Sequence, residues 1–230
     1  MILYEDNHLL VVEKEPNVPV QADESKDRDL LTIWKEDIKE RYNKPGNVYL
    51  GLVHRLDRPV GGAIVFAKTS KGASRLSDTL RKREMERTYV AVVRGVPKER
   101  HATLTNYLWK DRKKNIVHVV DRKKKEAKEA ILTYDVLATD NELSLVRVRL
   151  ETGRSHQIRV QLAAIGCPLY GDQKYGQSVN RPGEQLALWS HELTFPHPTK
   201  KEEMTFTSFP PNEHPWSTWE HLLKEEGRLR

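Results

Sequence analysis

Short apolar stretches with strand-like alternation recur along this chain at hairpin spacing, and that pattern limits the fold more than any other feature. The sequence predicts strands at 8–14, 47–56, 62–68, 86–95, 102–109, 115–120, 129–139, 142–151, 186–195 and 203–209. Helical spacing appears in three places. Residues 29–42 carry Leu30, Ile33, Trp34 and Ile38 on one face, 69–86 place Leu76 and Leu80 four apart behind a Ser70 N-cap, and 155–166 end at Gly166. Many strands and few helices imply an α/β fold in the broad sense, or α+β, with a mixed, largely antiparallel sheet. A length of 230 residues allows one ample domain or two small lobes sharing a sheet.

Charge narrows the partner. The net charge is +6, with 31% charged residues, and such a surplus favours a polyanion such as nucleic acid. Basic runs occur at Arg81, Lys82, Arg83 and Arg87, and in two clusters at 110–114 and 122–125. The two clusters flank one short strand, which reads as a basic hairpin whose two ends face the same way. Cys167 is the single cysteine, which excludes intrachain disulfides and cysteine-based zinc sites and reads as a packed thiol. No stretch reaches bilayer-spanning length and the start lacks a signal-peptide pattern, so a cytoplasmic protein, monomeric by default, is expected.

Two stretches carry candidate chemistry. In "LVHRLDRPVGGAIVF" Asp57 sits among His54, Arg55 and Arg58. A carboxylate there can be a nucleophile, a general base or a metal ligand, or it can cap the turn or pair with Arg58. No second acidic residue or histidine box has ligand spacing around it, which argues against a metal. In "ETGRSHQIRVQL" Arg154, His156 and Arg159 cluster where a helix begins, with His156 and Arg159 on one face. Cations are unfavourable at that end of a helix dipole, so an anionic partner is required.

These stretches resemble the two signatures of the RluA family of RNA pseudouridine synthases: "HRLDRPVGGAIVFAKT" and "ETGRSHQIRVQLAAIGCPLYGDQKYG". "ERTYVAVVRG" is similar to the strand that holds the family tyrosine, and the opening "YEDNHLLVVEKEPNVPVQ" and "HELTFPHP" match as well. The resemblance implies the pseudouridine synthase fold, a sheet in two halves with an active-site cleft between them, as a single catalytic domain over 1–230. It implies conversion of uridine in rRNA or tRNA to pseudouridine, by breaking the C1′–N1 bond and rejoining the base through C5, with no cofactor and no metal. Asp57 would be the catalytic carboxylate, attacking C1′ or C6 or supporting a glycal route. Tyr89 would stack on the target base and take part in proton transfer, and Arg159 would pair with Asp57. Arg55 would fill the stack that the flipped base leaves. Leu56 and Ile158 would help exclude water. His54, Arg154, His156, Arg81, Arg83, Lys113, Lys114, Lys123 and Lys124 would contact RNA. The alternative is a non-catalytic RNA-binding protein or chaperone that keeps the fold.

Two features depart from the family pattern. Val60-Gly61-Gly62 stands where Thr-Ser-Gly is usual, removing a hydroxyl that could brace the Asp57 loop. The small N-terminal RNA-binding module of the S4 type, carried by many relatives, is expected to be absent.

Overall fold

The computed structural model describes residues 1–226. They form two compact units, one of 1–86 with 190–208, the other of 87–189 with the segment from Phe209 onward.

In the first unit β1 (Ile2–Glu5), β2 (Leu9–Lys14), β4 (Gly61–Ala67) and β10 (Leu188–Pro196) lie side by side in that order, β10 belonging to this unit from Ser190. β3 (Gly51–Leu52) adds to β4, and β11 (Glu203–Thr207) adds to β10. The β1–β2, β2–β4, β3–β4 and β10–β11 pairs are all antiparallel. Leu9, Val11, Ala63, Val65, Leu193 and Phe195 leave alternate positions of these strands and form one apolar cluster with Leu76. Leu76 comes from α2 (Ser70–Arg81), which seals that face of the sheet. The N-cap of α2 is Thr69, whose hydroxyl accepts from the Gly72 N–H, and not Ser70 as the sequence predicts. The helix also stops at Arg81, short of the predicted 86, because Arg83 turns to φ 62°. α1 (Leu30–Arg41) matches its predicted span, with Asp29 as N-cap receiving the Thr32 N–H.

In the second unit β5 (Glu86–Arg94), β9 (Leu143–Leu150), β8 (Lys128–Asp140), β6 (His101–Asp111) and β7 (Ile116–Val120) run in that order, each neighbour pair in it antiparallel. β5 is buried from Arg87 to Val93, and only its Tyr89–Val93 stretch reads as a continuous apolar run. Val90, Val92 and Leu145 pack on Trp216, Trp219 and Leu223 from a 3-10 turn (Trp216–Trp219) and α4 (Glu220–Glu226). α3 (Gln157–Ala164) sets Val160 against Leu108, Val117 and Ala130. Cys167 is buried, and burial pushes its thiol pKa up, as befits a packed, inert cysteine. Among the described residues no helix is long and apolar enough to cross a membrane.

Candidate active site

Asp57 lies in the first unit, in the turn between β3 and β4. The turn is closed by the Val60 N–H, which donates to the Asp57 carbonyl at 2.9 Å. Its flanks are held by different groups. His54 is buried, and its Nε2 accepts the Val65 N–H at 3.3 Å, where a longer β3 would have offered a carbonyl. That substitution ends β3 at Leu52, well short of the predicted 56. Leu56 and Val60 are buried, whereas Arg55 is exposed. Arg58 pairs with Asp27 and, at 3.7 Å, with Asp23, and donates to the Ser25 hydroxyl at 2.8 Å. Its guanidinium therefore fastens the turn to the 23–27 loop.

Beneath the turn is Lys14, the last residue of β2, fully buried. Its Nζ donates to the carbonyls of Glu15 at 3.0 Å, Arg58 at 2.9 Å and Val60 at 2.6 Å. Three N–H donors meet three carbonyls, two of them inside the Asp57 turn. Burial lowers the Lys14 pKa to about 7, with the Asp57 charge acting to raise it and the Arg58 charge to lower it. This ammonium braces the turn in the absence of a Thr-Ser hydroxyl. Gly62 completes the arrangement at φ 112°. A Cβ there would sit 2.3 Å from the Ser190 carbonyl oxygen, so glycine alone lets β10 approach.

Tyr89 and Arg159 belong to the second unit. Tyr89 is buried in β5 opposite Val148. Arg159, in the first turn of α3, meets a buried carboxylate: its Nε and Nη2 each donate to Asp172 at 2.8 Å. Asp172 also accepts the N–H groups of Lys174 and Tyr175 through Oδ1, at 2.9 and 3.1 Å. Burial alone would raise the Asp172 pKa. The Arg159 bonds and charge, with the two N–H donors, outweigh burial and hold it low. Asn180 pins this turn, accepting from Gly171 N–H at 2.9 Å and donating to the Leu169 carbonyl at 2.8 Å. The expected shared helix face is corrected: α3 begins at Gln157, and His156 is its left-handed N-cap at φ 52°, so Tyr175 joins the two instead, its hydroxyl 2.7 Å from His156 Nδ1 and its ring beneath the Arg159 guanidinium. Arg154 is exposed and donates to the Glu129 carbonyl at 2.8 Å, while Ile158 is buried.

Lys14, Asp172 and Tyr175 are site groups to which the sequence alone gives no role. Asp172 had a signal, its place in the "GDQKYG" end of the second signature stretch. Lys14 had almost none, since a lysine at a strand end reads as solvated.

Of the basic surface residues, Arg81, Arg83, Lys113, Lys114, Lys123 and Lys124 are all exposed. The expectation that the two lysine clusters face the same way is corrected by the strand order. Asp111 pairs with Ile116 and Tyr107 with Val120, so 112–115 lies at one end of β7 and 121–127 at the other. A five-residue strand separates them by about 17 Å. Along it Trp109 stacks on His118 at 6.1 Å, with the Lys124 ammonium 5.0 Å above the Trp109 ring.

Comparison with known proteins gives a consistent picture. The family model described as RNA pseudouridylate synthase matches residues 8–164. An uncharacterized RNA pseudouridine synthase of Aquifex aeolicus is 34% identical over 220 residues, covering 89% of this chain and 67% of that protein. A protein of Buchnera aphidicola named ribosomal large subunit pseudouridine synthase C is 31% identical, over 90% of this chain and 66% of its own length. The chain thus spans about two thirds of the length of these relatives. Among solved structures, human RNA pseudouridylate synthase domain containing 4 superposes with a TM-score of 0.77 at 23% identity, covering 97% of this chain and 92% of that one. This likeness establishes the fold.

Proposed function

Because the chain belongs to the RNA pseudouridylate synthase family, we propose that it isomerises particular uridines in a structured rRNA or tRNA to pseudouridine. The observation that carries this reading is the Asp57 turn, held from beneath by a buried ammonium that uses every donor on backbone carbonyls. A carboxylate so mounted is preorganised for attack or for charge stabilisation. On this reading the target base leaves its stack, and the exposed Arg55 guanidinium takes the vacancy. The base rests on Tyr89, whose hydroxyl takes part in proton transfer. Asp57 promotes cleavage of the C1′–N1 bond, the base turns, and C5 rejoins C1′; the proton that C5 then sheds is balanced by the one that N1 gains. Arg159, steadied by Asp172, serves as the cation for Asp57. The reaction rearranges bonds within one nucleotide, and no metal or cofactor is assigned to it.

RNA is gripped by the exposed cations at Arg81, Arg83, Lys113, Lys114, Lys123, Lys124 and Arg154. His156 acts through Tyr175, and His54 shapes the turn. Residues 1–230 act as one catalytic domain, monomeric and cytoplasmic. The relative named for the large ribosomal subunit makes large-subunit rRNA the first substrate to try.

Pseudouridine mapping in cells lacking the protein tests this. One or more sites should revert to uridine, and Asp57→Asn should fail to restore them while binding the RNA within about twofold of wild type. If every site persists, and the purified protein modifies no cellular RNA, the proposal is wrong.

A further inference from the structure

Arg87 is a buried cation to which the proposed reaction gives no task. It lies on β5 two residues before Tyr89, so the two side chains leave the same face of the strand, and both are more than nine-tenths buried. Among the described residues its Nε has no hydrogen-bond partner, and no carboxylate pairs with its guanidinium. Burial lowers its pKa from the ordinary arginine range, with Tyr89 the neighbouring group acting to raise it. A guanidinium nevertheless stays charged at physiological pH. The loop between β9 and α3 lies directly on it, since a Cβ at Gly153 would come within 2.5 Å of Nη1. Backbone thus covers the guanidinium where a side chain would displace it. An unpaired ion kept out of water is costly to the free protein, and an incoming anion would relieve that cost.

We infer that Arg87 binds a backbone phosphate of the nucleotide whose base rests on Tyr89. RNA brings one phosphodiester per nucleotide, and a planar guanidinium matches its oxygens with parallel donors. Positions two apart on a strand are separated by about 6.6 Å, comparable to the span from a nucleobase to its own phosphate. The inference rests on the reading that Tyr89 carries the target base.

Two ligands separate the two claims: uridine and uridine 5′-monophosphate, titrated into the full chain by NMR. Wild type should prefer the monophosphate by about tenfold. Arg87→Met should bind uridine as wild type does, lose that preference, and melt no lower than wild type, because an unpaired buried charge has gone. Its salt-dependence slope on total cellular RNA should fall by roughly 0.7–0.9, one phosphate contact. A wild-type preference in Arg87→Met overturns the inference. So does equal loss of both ligands with a much lower melting temperature, which marks Arg87 as scaffold. If Arg87→Met does not fold, Arg87→Lys decides, with a reduced preference expected and an undiminished one overturning it. Tyr89→Ala should weaken uridine and the monophosphate alike. Unchanged uridine binding there would remove the stacking reading, and with it this inference, while Asp57-dependent conversion would still be tested separately.

Discussion

Lys14 answers two opposed demands. The Asp57 turn needs three donors beneath it, and burial penalises the only form of lysine that has three. In the unfolded chain a lysine titrates near 10.4, whereas here its pKa is about 7. Between those values the unfolded chain binds more protons, so this group makes stability rise with pH, and below about 7 the cost of its buried charge is fully present. Activity should run the other way, because a neutral amine has two N–H donors for three carbonyls and the turn loosens. Urea unfolding should show the stability of wild type rising relative to Lys14→Met between pH 7 and 9.5. Over the same range wild-type kcat should fall, while Lys14→Met is about ten- to a hundredfold slower and flat. A pH-independent stability difference would remove Lys14 from this role. The composition of the turn is plain in the sequence; its brace comes from another strand, which local pattern does not encode.

Elements show where period-two alternation is legible and where it misleads. β8 sits close to its predicted span because its burial alternates over most of its length, whereas β9 keeps its span with Ser144, Leu145 and Val146 buried in succession and a register slip against β8 between Val136 and Ala138. β1 was not foreseen, being four residues long with its first position exposed. The strand order corrects the lysine clusters: β7 pairs with β6, and β8 returns to the other side of β6, so the loops before and after β7 fall at opposite ends of that strand. On the proposed function, Lys113 with Lys114 and Lys123 with Lys124 would therefore form two separate RNA contacts. Charge reversal at either pair should weaken RNA binding about tenfold and lower its salt slope by one to two. Combined, the reversals should add within experimental error, since the sites are about 17 Å apart. Filter binding across a salt series checks this. Strong non-additivity, or an unchanged slope, would mean the lysines only solvate the loops.

At the scale of the whole molecule each unit holds a carboxylate kept acidic by its surroundings. In the first, Asp6 accepts the His8 and Leu9 N–H groups at 2.7 and 2.8 Å and lies 2.8 Å from His197 Nε2; in the second, Asp172 holds Arg159. Burial would raise both pKa values, and the donors outweigh it. Folded pKa values below the unfolded value near 4 contribute stability above that pH, and it is lost as pH falls through the folded values. Asp172→Asn should thus cost about 3–5 kcal/mol at pH 7 and markedly less at pH 3, read by urea unfolding at both. A gap of equal size at the two pH values would show that the pair carries no proton linkage. By itself the sequence determined the strand-rich class, the family, the Asp57 turn and the helix that carries Arg159, because side-chain period, turn chemistry and motif order are local. Only the tertiary structure decided that Lys14 lies beneath Asp57, that Asp172 is a partner of Arg159, and that Arg87 is buried with no carboxylate paired to it among the described residues. Burial of an ion depends on which distant backbone closes over it, and no spacing along one segment records that.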